Sequence, residues 1–450
     1  MNAPDKLDFK RIFPLFVIVL VDLLGLTIII PLLPLYAVSF GADPFTIGLI
    51  GAVYPSMQLI AGPFLGSLSD RYGRKRVLLF SQIGTFIGFV ILGFANALPL
   101  LILSRVIDGL SGANIIVAQA AITDVTTPQT RTQGLGLIGA AFGLGFTLGP
   151  ALAGIALAVS GNNYQVPAFL AAAFSLGSIL LTLFWFKETN PAEVRQAAAA
   201  AQAKSGDSWL NRFIRALSSP LVGMLLILML MQQLVFGGFE NLLSLFTLNR
   251  LGMNAAGNAV LFVYVGIIIV IVQGYAIGRW SRRFGERKLI YAGLVLLGAG
   301  IIMTALTPTQ PVPWYSRDAM IEELSTDTAT RVSVELPDDS NTGPLGLGWL
   351  LVAMLPTSIG GSILSPSINS LITRRTDRQQ IGSILGTSAS MVSLANAITP
   401  LIGGALFQWL GSSAPFLIGG IILLLLFALA TRTIKPAPDD VPQSPAVAVS

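Results

Sequence analysis

Apolar runs of about 20 residues, the length that crosses a bilayer as a helix, recur twelve times along this chain, centred near residues 25, 58, 86, 110, 146, 175, 234, 268, 298, 359, 395 and 423. With 53% hydrophobic residues against 11% charged and a mean hydropathy of +0.75, the chain has far too much apolar surface for one soluble core. The expected fold class is an all-α membrane protein of twelve spans. An even number of spans puts both ends on one side. Of the 27 Lys and Arg, 23 fall in segments assigned to the inside, three (Arg250, Arg317, Arg331) fall outside, and Arg105 alone lies within a span. Positive charge stays on the cytoplasmic side, so both termini are expected there, with the chain in the plasma membrane. The first run follows Lys6, Lys10 and Arg11. It is longer than a signal peptide's apolar region and lacks a small-residue cleavage site, so it is expected to remain as a span.

Cysteine and histidine are both absent, which removes disulfides, thiolate metal sites, thiol nucleophiles and imidazole relays. Any proton chemistry must use carboxylates. Asp22, in Val21-Asp22-Leu23-Leu24-Gly25, lies eleven residues past Arg11, roughly 16 Å along a helix and near the midplane. A carboxylate there costs roughly 2.5 to 3.5 kcal/mol on insertion scales and is expected to face the bundle interior. No catalytic constellation and no phosphate-binding loop is present, so an enzyme is not expected; the work must be driven by an ion gradient.

Between the second and third spans runs Gly62-Pro63-Phe64-Leu65-Gly66-Ser67-Leu68-Ser69-Asp70-Arg71-Tyr72-Gly73-Arg74-Lys75-Arg76. Gly62 and Gly66 share a helix face and let a neighbour come close, Gly73 permits a tight turn, and Asp70 is free to meet a helix N-terminus or an arginine. Span 4 carries Arg105-Val106-Ile107-Asp108-Gly109-Leu110-Ser111-Gly112-Ala113, and span 5 carries Gly136, Gly145, Gly149-Pro150 and Ala153-Gly154. These three stretches resemble motifs of the major facilitator superfamily, and within it the twelve-helix drug:proton antiporters of the tetracycline-efflux kind. The resemblance implies two six-helix bundles in alternating access, a cytoplasmic gate at Gly62, Gly66, Asp70, Arg71, Gly73 and Arg74, and a helix 5 hinge at Gly145, Gly149, Pro150 and Gly154. Read from the residues alone, Arg105 either serves Asp22 or snorkels to the interface. Asp108, outside the family pattern, either neutralises Arg105 or adds a second proton site.

The second half repeats the first. Gly274 to Lys288 overlays Gly62 to Arg76 at an offset of 212, and Thr399-Pro400 with Gly403-Gly404 overlays Gly149-Pro150 with Ala153-Gly154 at 250. The difference is filled by residues 308–345, an acidic insertion of 38 residues expected to be mobile and extracytoplasmic. The expected domains are residues 1–186, a cytoplasmic linker 187–219, a second bundle 220–433 and a tail 434–450. Parallel repeats place substrate at their interface near the midplane. At related positions Asp70 matches Arg282 and Asp124 matches Arg374, which suggests a latch between halves or unrelated cytoplasmic arginines. In-span polar residues, Gln119, Gln233, Asn369 and Asn396, are candidates for the substrate cavity or for helix contacts. Glu240 either lines that cavity, drawing in a cationic substrate, or sits among headgroups.

The expected function is proton-coupled export of drug-like or amphipathic small molecules by a monomer, with no cofactor, no metal site and no nucleic-acid partner. The alternatives are a proton-coupled importer or facilitator of a sugar or other metabolite, and a transport-inactive membrane receptor.

Overall fold

The computed structural model describes residues 9–112, 114–127, 130–191, 222–324, 334–375 and 381–434. Most of the 187–219 linker and all but the first residue of the 434–450 tail lie outside the described residues. Among the described residues, twelve helical stretches are long and apolar enough to cross a membrane. Among the described residues there is no strand.

The helices are α1 (Phe9–Ile29), α2 (Leu33–Ser39), α3 (Pro44–Tyr72), α4 (Arg74–Gly93), α5 (Leu98–Ser111), α6 (Asn114–Asp124), α7 (Arg131–Ser160) and α8 (Gln165–Phe184). There follow α9 (Gly223–Leu251), α10 (Ala255–Ile271), α11 (Ile277–Phe284), α12 (Glu286–Ala305), α13 (Arg317–Leu324), α14 (Leu345–Arg374), α15 (Ile381–Leu410) and α16 (Ala414–Thr433). A π-helical turn, Val272–Ala276, joins α10 to α11. Contacts divide the chain into two compact units: Met1–Gly206 with Met253–Gly266 and Ser316–Glu335, and Asp207–Gly252 with Ile267–Tyr315 and Leu336–Ser450.

The repeat seen in the sequence reappears as packing within each unit. In the first, α1 packs on α7, and α4 packs on α5 and α8; in the second, α9 packs on α15, and α12 packs on α14 and α16. The turns that launch α4 and α12 are also alike. Gly73 (φ 103°) and Gly285 (φ 78°) each occupy left-handed backbone that a side chain resists. The close approach expected at Gly62 and Gly66 is made by Ile116 of α6.

Helix α7 runs unbroken through Pro150, so the Gly149-Pro150 pair is a packing site rather than a visible break. A Cβ at Gly149 would overlap Thr27 of α1, and the Thr27 hydroxyl donates to the Gly145 carbonyl at 2.9 Å. Gly149→Val should therefore cost about 1–3 kcal/mol of overpacking. Gly136→Val, where nothing lies within 4 Å, should stay within about 0.5 kcal/mol. Thermal unfolding midpoints of the purified variants check the contrast.

The described part of the acidic insertion is packed, which corrects the expectation of a mobile loop. Val312 N–H donates to Leu251 at 3.0 Å and Gly343 N–H to Pro311 at 2.8 Å. The Tyr315 hydroxyl donates to Pro337 at 3.0 Å, and its ring leaves no room for a Cβ at Gly252. Helix α13 belongs to the first unit, with Met320 and Leu324, four residues apart, buried on one face. Its Glu323 carboxylate accepts from Asn254 Nδ2 at 3.2 Å and from Asn162, a non-glycine residue at φ 62°. Net charge concealed this apolar pair.

Burial pushes the Glu323 carboxyl above its ordinary range, against the pull of the two asparagine amides. A pKa raised on docking makes docking strongest below the undocked value, and that extra stability is lost as pH rises through the docked value. Backbone amides of α13 should exchange more slowly at mildly acidic than at alkaline pH, after correction for intrinsic exchange. Glu323→Gln should remove the difference.

Candidate functional site

Asp22 sits in the middle of α1 with two neutral donors at its carboxylate. Asn114 Nδ2 donates to Oδ2 at 2.8 Å, and Ser178 Oγ of α8 donates to Oδ1 at 3.4 Å. Asn114 opens α6, just past Gly112, where helix α5 is interrupted. The Gly112 carbonyl left at this interruption accepts from Gln58 Nε2 at 2.6 Å, and the same amide reaches the Tyr54 hydroxyl at 3.3 Å. A discontinuous span beside a carboxylate is the arrangement transporters use to build ion sites at membrane depth.

Arg105 is not Asp22's partner. It is 2% exposed, with Nη1 3.2 Å from Asp108 Oδ2 on the next turn and its guanidinium 5.5 Å from the Phe89 ring centre. This corrects the snorkelling alternative: the arginine is turned inward, where Asp108 neutralises it. Asp22 and Asp108 line one cavity, closed further by Tyr54, Gln58, Thr85 and Asn114. Its volume of about 10 Å³ is on the scale of one water molecule. Asn114 Oδ1 and Asp108 Oδ2, on two of the lining residues, are buried without a hydrogen-bond partner, so a water there would have two acceptors to donate to.

At the basic turn, Arg74 is the hub. Its guanidinium meets Asp70 at 2.6 Å and Asp124 at 2.9 Å and donates to Ser69 Oγ at 2.6 Å. Glu188 caps the start of α4, accepting from the backbone N–H of Arg74 at 2.9 Å and of Lys75 at 3.2 Å. Arg71 is exposed beside the Tyr72 ring. In the second unit Glu286, 4% exposed, pairs with Arg374 at 2.7 Å, and Ser281 Oγ donates to it at 2.9 Å. Arg282 is exposed.

Glu286 is Arg74 displaced by 212 residues, Ser281 is Ser69 displaced by 212, and Arg374 is Asp124 displaced by 250. The pair thus recurs with its polarity reversed. Glu286 and Glu188 escaped the sequence reading; the repeat offset itself pointed to the first of them.

The candidate cavity residues do not form one cluster within the second unit. Gln233 Nε2 donates to Asn396 Oδ1 at 2.9 Å, linking α9 to α15, and Ser388 Oγ donates to Asn369 Oδ1 at 3.2 Å, linking α15 to α14. Glu240 is half-buried on α9. Gln119, in the first unit, is exposed on α6.

Among similar proteins, the class B tetracycline resistance protein of Escherichia coli is 27% identical over 412 residues, covering 91% of this chain and 89% of that one. Multidrug resistance protein 2 of Bacillus subtilis is 24% identical over 410 residues, covering 90% and 91%. Among solved structures, the human organic anion transporter MFSD10 superposes with a TM-score of 0.64 at 24% identity, covering 95% of this chain and 100% of that one. The nucleoside transporter NupG superposes at 0.71 with 12% identity, covering 94% and 100%; at these identities both speak for the fold. The model of the Major Facilitator Superfamily matches residues 15–321 and 343–449, and with twelve spans and a repeated bundle topology this chain belongs to that superfamily of membrane transporters.

Proposed function

We propose that this transporter exports hydrophobic or amphipathic drug-like molecules in exchange for protons, with Asp22 as the proton-carrying group. The observation that carries the reading is that Asp22 is held by two neutral donors while Arg105, the in-span arginine, is paired with Asp108. A carboxylate bound this way takes up or releases a proton without breaking an ion pair. Asn114 and Ser178 fix its oxygens, and the cavity gives a water access to it. Tetracycline and multidrug resistance proteins among its relatives support the substrate class.

The 23 inside lysines and arginines support both termini in the cytoplasm and the plasma membrane as the location. The protein acts as a monomer, and the proton gradient takes the place of a cofactor. Glu240, alone as an in-span carboxylate of α9, draws cationic substrates.

The test is a resistance panel in an efflux-deficient host, read with everted vesicles. Tetracycline is the first probe, followed by cationic dyes. Expression should raise resistance to at least one compound, and everted vesicles should accumulate it on acidification of the lumen. Accumulation that ignores a collapsed pH gradient would overturn proton exchange, and resistance to none of the panel would overturn the substrate class.

A further inference from the structure

The first unit carries a second feature beside the chain neighbours of Asp22 and Ser178. Val21, Ala173, Phe174, Gly177, Leu180, Leu181, Phe184 and Trp185 line an open apolar groove of about 570 Å³ between the two helices. Its floor is kept low by Ala173 and Gly177, where a Cβ would only just touch Val21 at 3.7 Å. Its rim is aromatic. Phe184 and Trp185 are 81% and 41% exposed, and Trp185 stands edge-on to Phe13 of α1, with ring centres 5.8 Å apart.

That aromatic end is also the basic end. Lys10 lies one turn before Phe13, and Lys187 lies two residues past Trp185; both are exposed. The Lys75 ammonium is brought to the same place by its hydrogen bond to the Leu183 carbonyl at 2.9 Å. Glu188, the residue after Lys187, turns its carboxylate to the first amides of α4. A long apolar slot ending in aromatic rings and then in ammonium groups matches an acyl chain joined to an anionic headgroup.

We propose that this groove is a binding site for an anionic phospholipid, one acyl chain lying between α1 and α8 and the phosphate resting among Lys10, Lys75 and Lys187. The site abuts the proton machinery directly. Val21 and Gly177 on its floor are the chain neighbours of Asp22 and Ser178, which are bonded to each other, so the acyl chain backs the pair on its lipid side.

The binding claim does not depend on proton-coupled export, and its test reads no transport. Trp185 is kept as the sole tryptophan by replacing Trp209, Trp280, Trp314, Trp349 and Trp409 with Phe, and the full chain is reconstituted into vesicles. Phosphatidylglycerol brominated on its acyl chains is diluted into plain phosphatidylcholine, and the mirror mixture is prepared alongside. Half-maximal quenching of Trp185 should need several-fold less brominated phosphatidylglycerol than brominated phosphatidylcholine. Lys10→Gln with Lys187→Gln should erase that preference, and Gly177→Leu should reduce quenching by both lipids. Equal quenching by the two lipids would mean ordinary boundary lipid and overturn the site. Native mass spectrometry of the unmodified protein offers the same decision without tryptophan replacement: a retained phosphatidylglycerol adduct supports the site, and equal retention of phosphatidylcholine overturns it.

Discussion

Asp22→Asn should abolish uptake driven by a pH gradient in proteoliposomes, down to the level of empty vesicles, while leaving insertion and folding intact. The substitution removes an intramembrane charge and keeps the side chain's size. The oxygen that remains can still accept from Asn114 Nδ2, which now stands 2.8 Å from Oδ2. Under the proposed exchange, what disappears is the ability to carry a proton, and with it the exclusion between proton and substrate. Counterflow of a transported compound down its own gradient should persist, because a permanently neutral side chain resembles the proton-loaded state. Gradient-driven accumulation surviving in this variant would move the coupling role to another carboxylate, Asp108 or Glu240.

The largest effect on stability should come from the Arg105–Asp108 pair. Both side chains are 2% exposed, so neither charge has water to fall back on. Arg105→Met strands a buried carboxylate, and breaking a buried pair on one side costs about 3–5 kcal/mol. Asp108→Leu strands the guanidinium, which keeps the Phe89 face and Ser104 Oγ beside it. The double variant, apolar on both sides, should recover most of the loss, since replacing both partners of a buried pair is often neutral. Unfolding midpoints in detergent for the four proteins give the coupling energy. Additive single effects would mean that the two residues act independently.

Hydropathy made the spans legible, because a bilayer demands about 20 apolar residues per crossing whatever the tertiary structure. The turn at Gly73 was legible because few residues tolerate its backbone. The candidate site was legible only in its anchors. Asp22 is conspicuous as a charge in an apolar run, but its partners Asn114 and Ser178 lie 92 and 156 residues away and are unremarkable in composition. Arg105 lay in plain sight, yet which carboxylate would claim it depended on helix rotation, and Asp108 on the same face won. Helix α13 was hidden by the opposite error: seven acidic residues in its region outweighed two well-spaced apolar ones, although burial follows Met320 and Leu324 rather than net charge.

The reversed pair at the two basic turns constrains the history of the chain. If the halves descend from one duplicated unit whose turn already held an ion pair, one copy has since exchanged both partners; an uncharged ancestral pair instead lets each copy acquire its own. No single substitution makes that change safely. Placing Glu at 74 while Asp124 and Asp70 remain would set three carboxylates together, and placing Arg at 286 opposite Arg374 would crowd two guanidinium groups around a site whose acid is 4% exposed. A route through an uncharged residue at one position avoids both clashes, because Asp124 and Arg374 keep partial access to water, at 23% and 45% exposure. Ser69 and Ser281, which hydrogen-bond to either kind of ion, are the residues that did not need to change along the way.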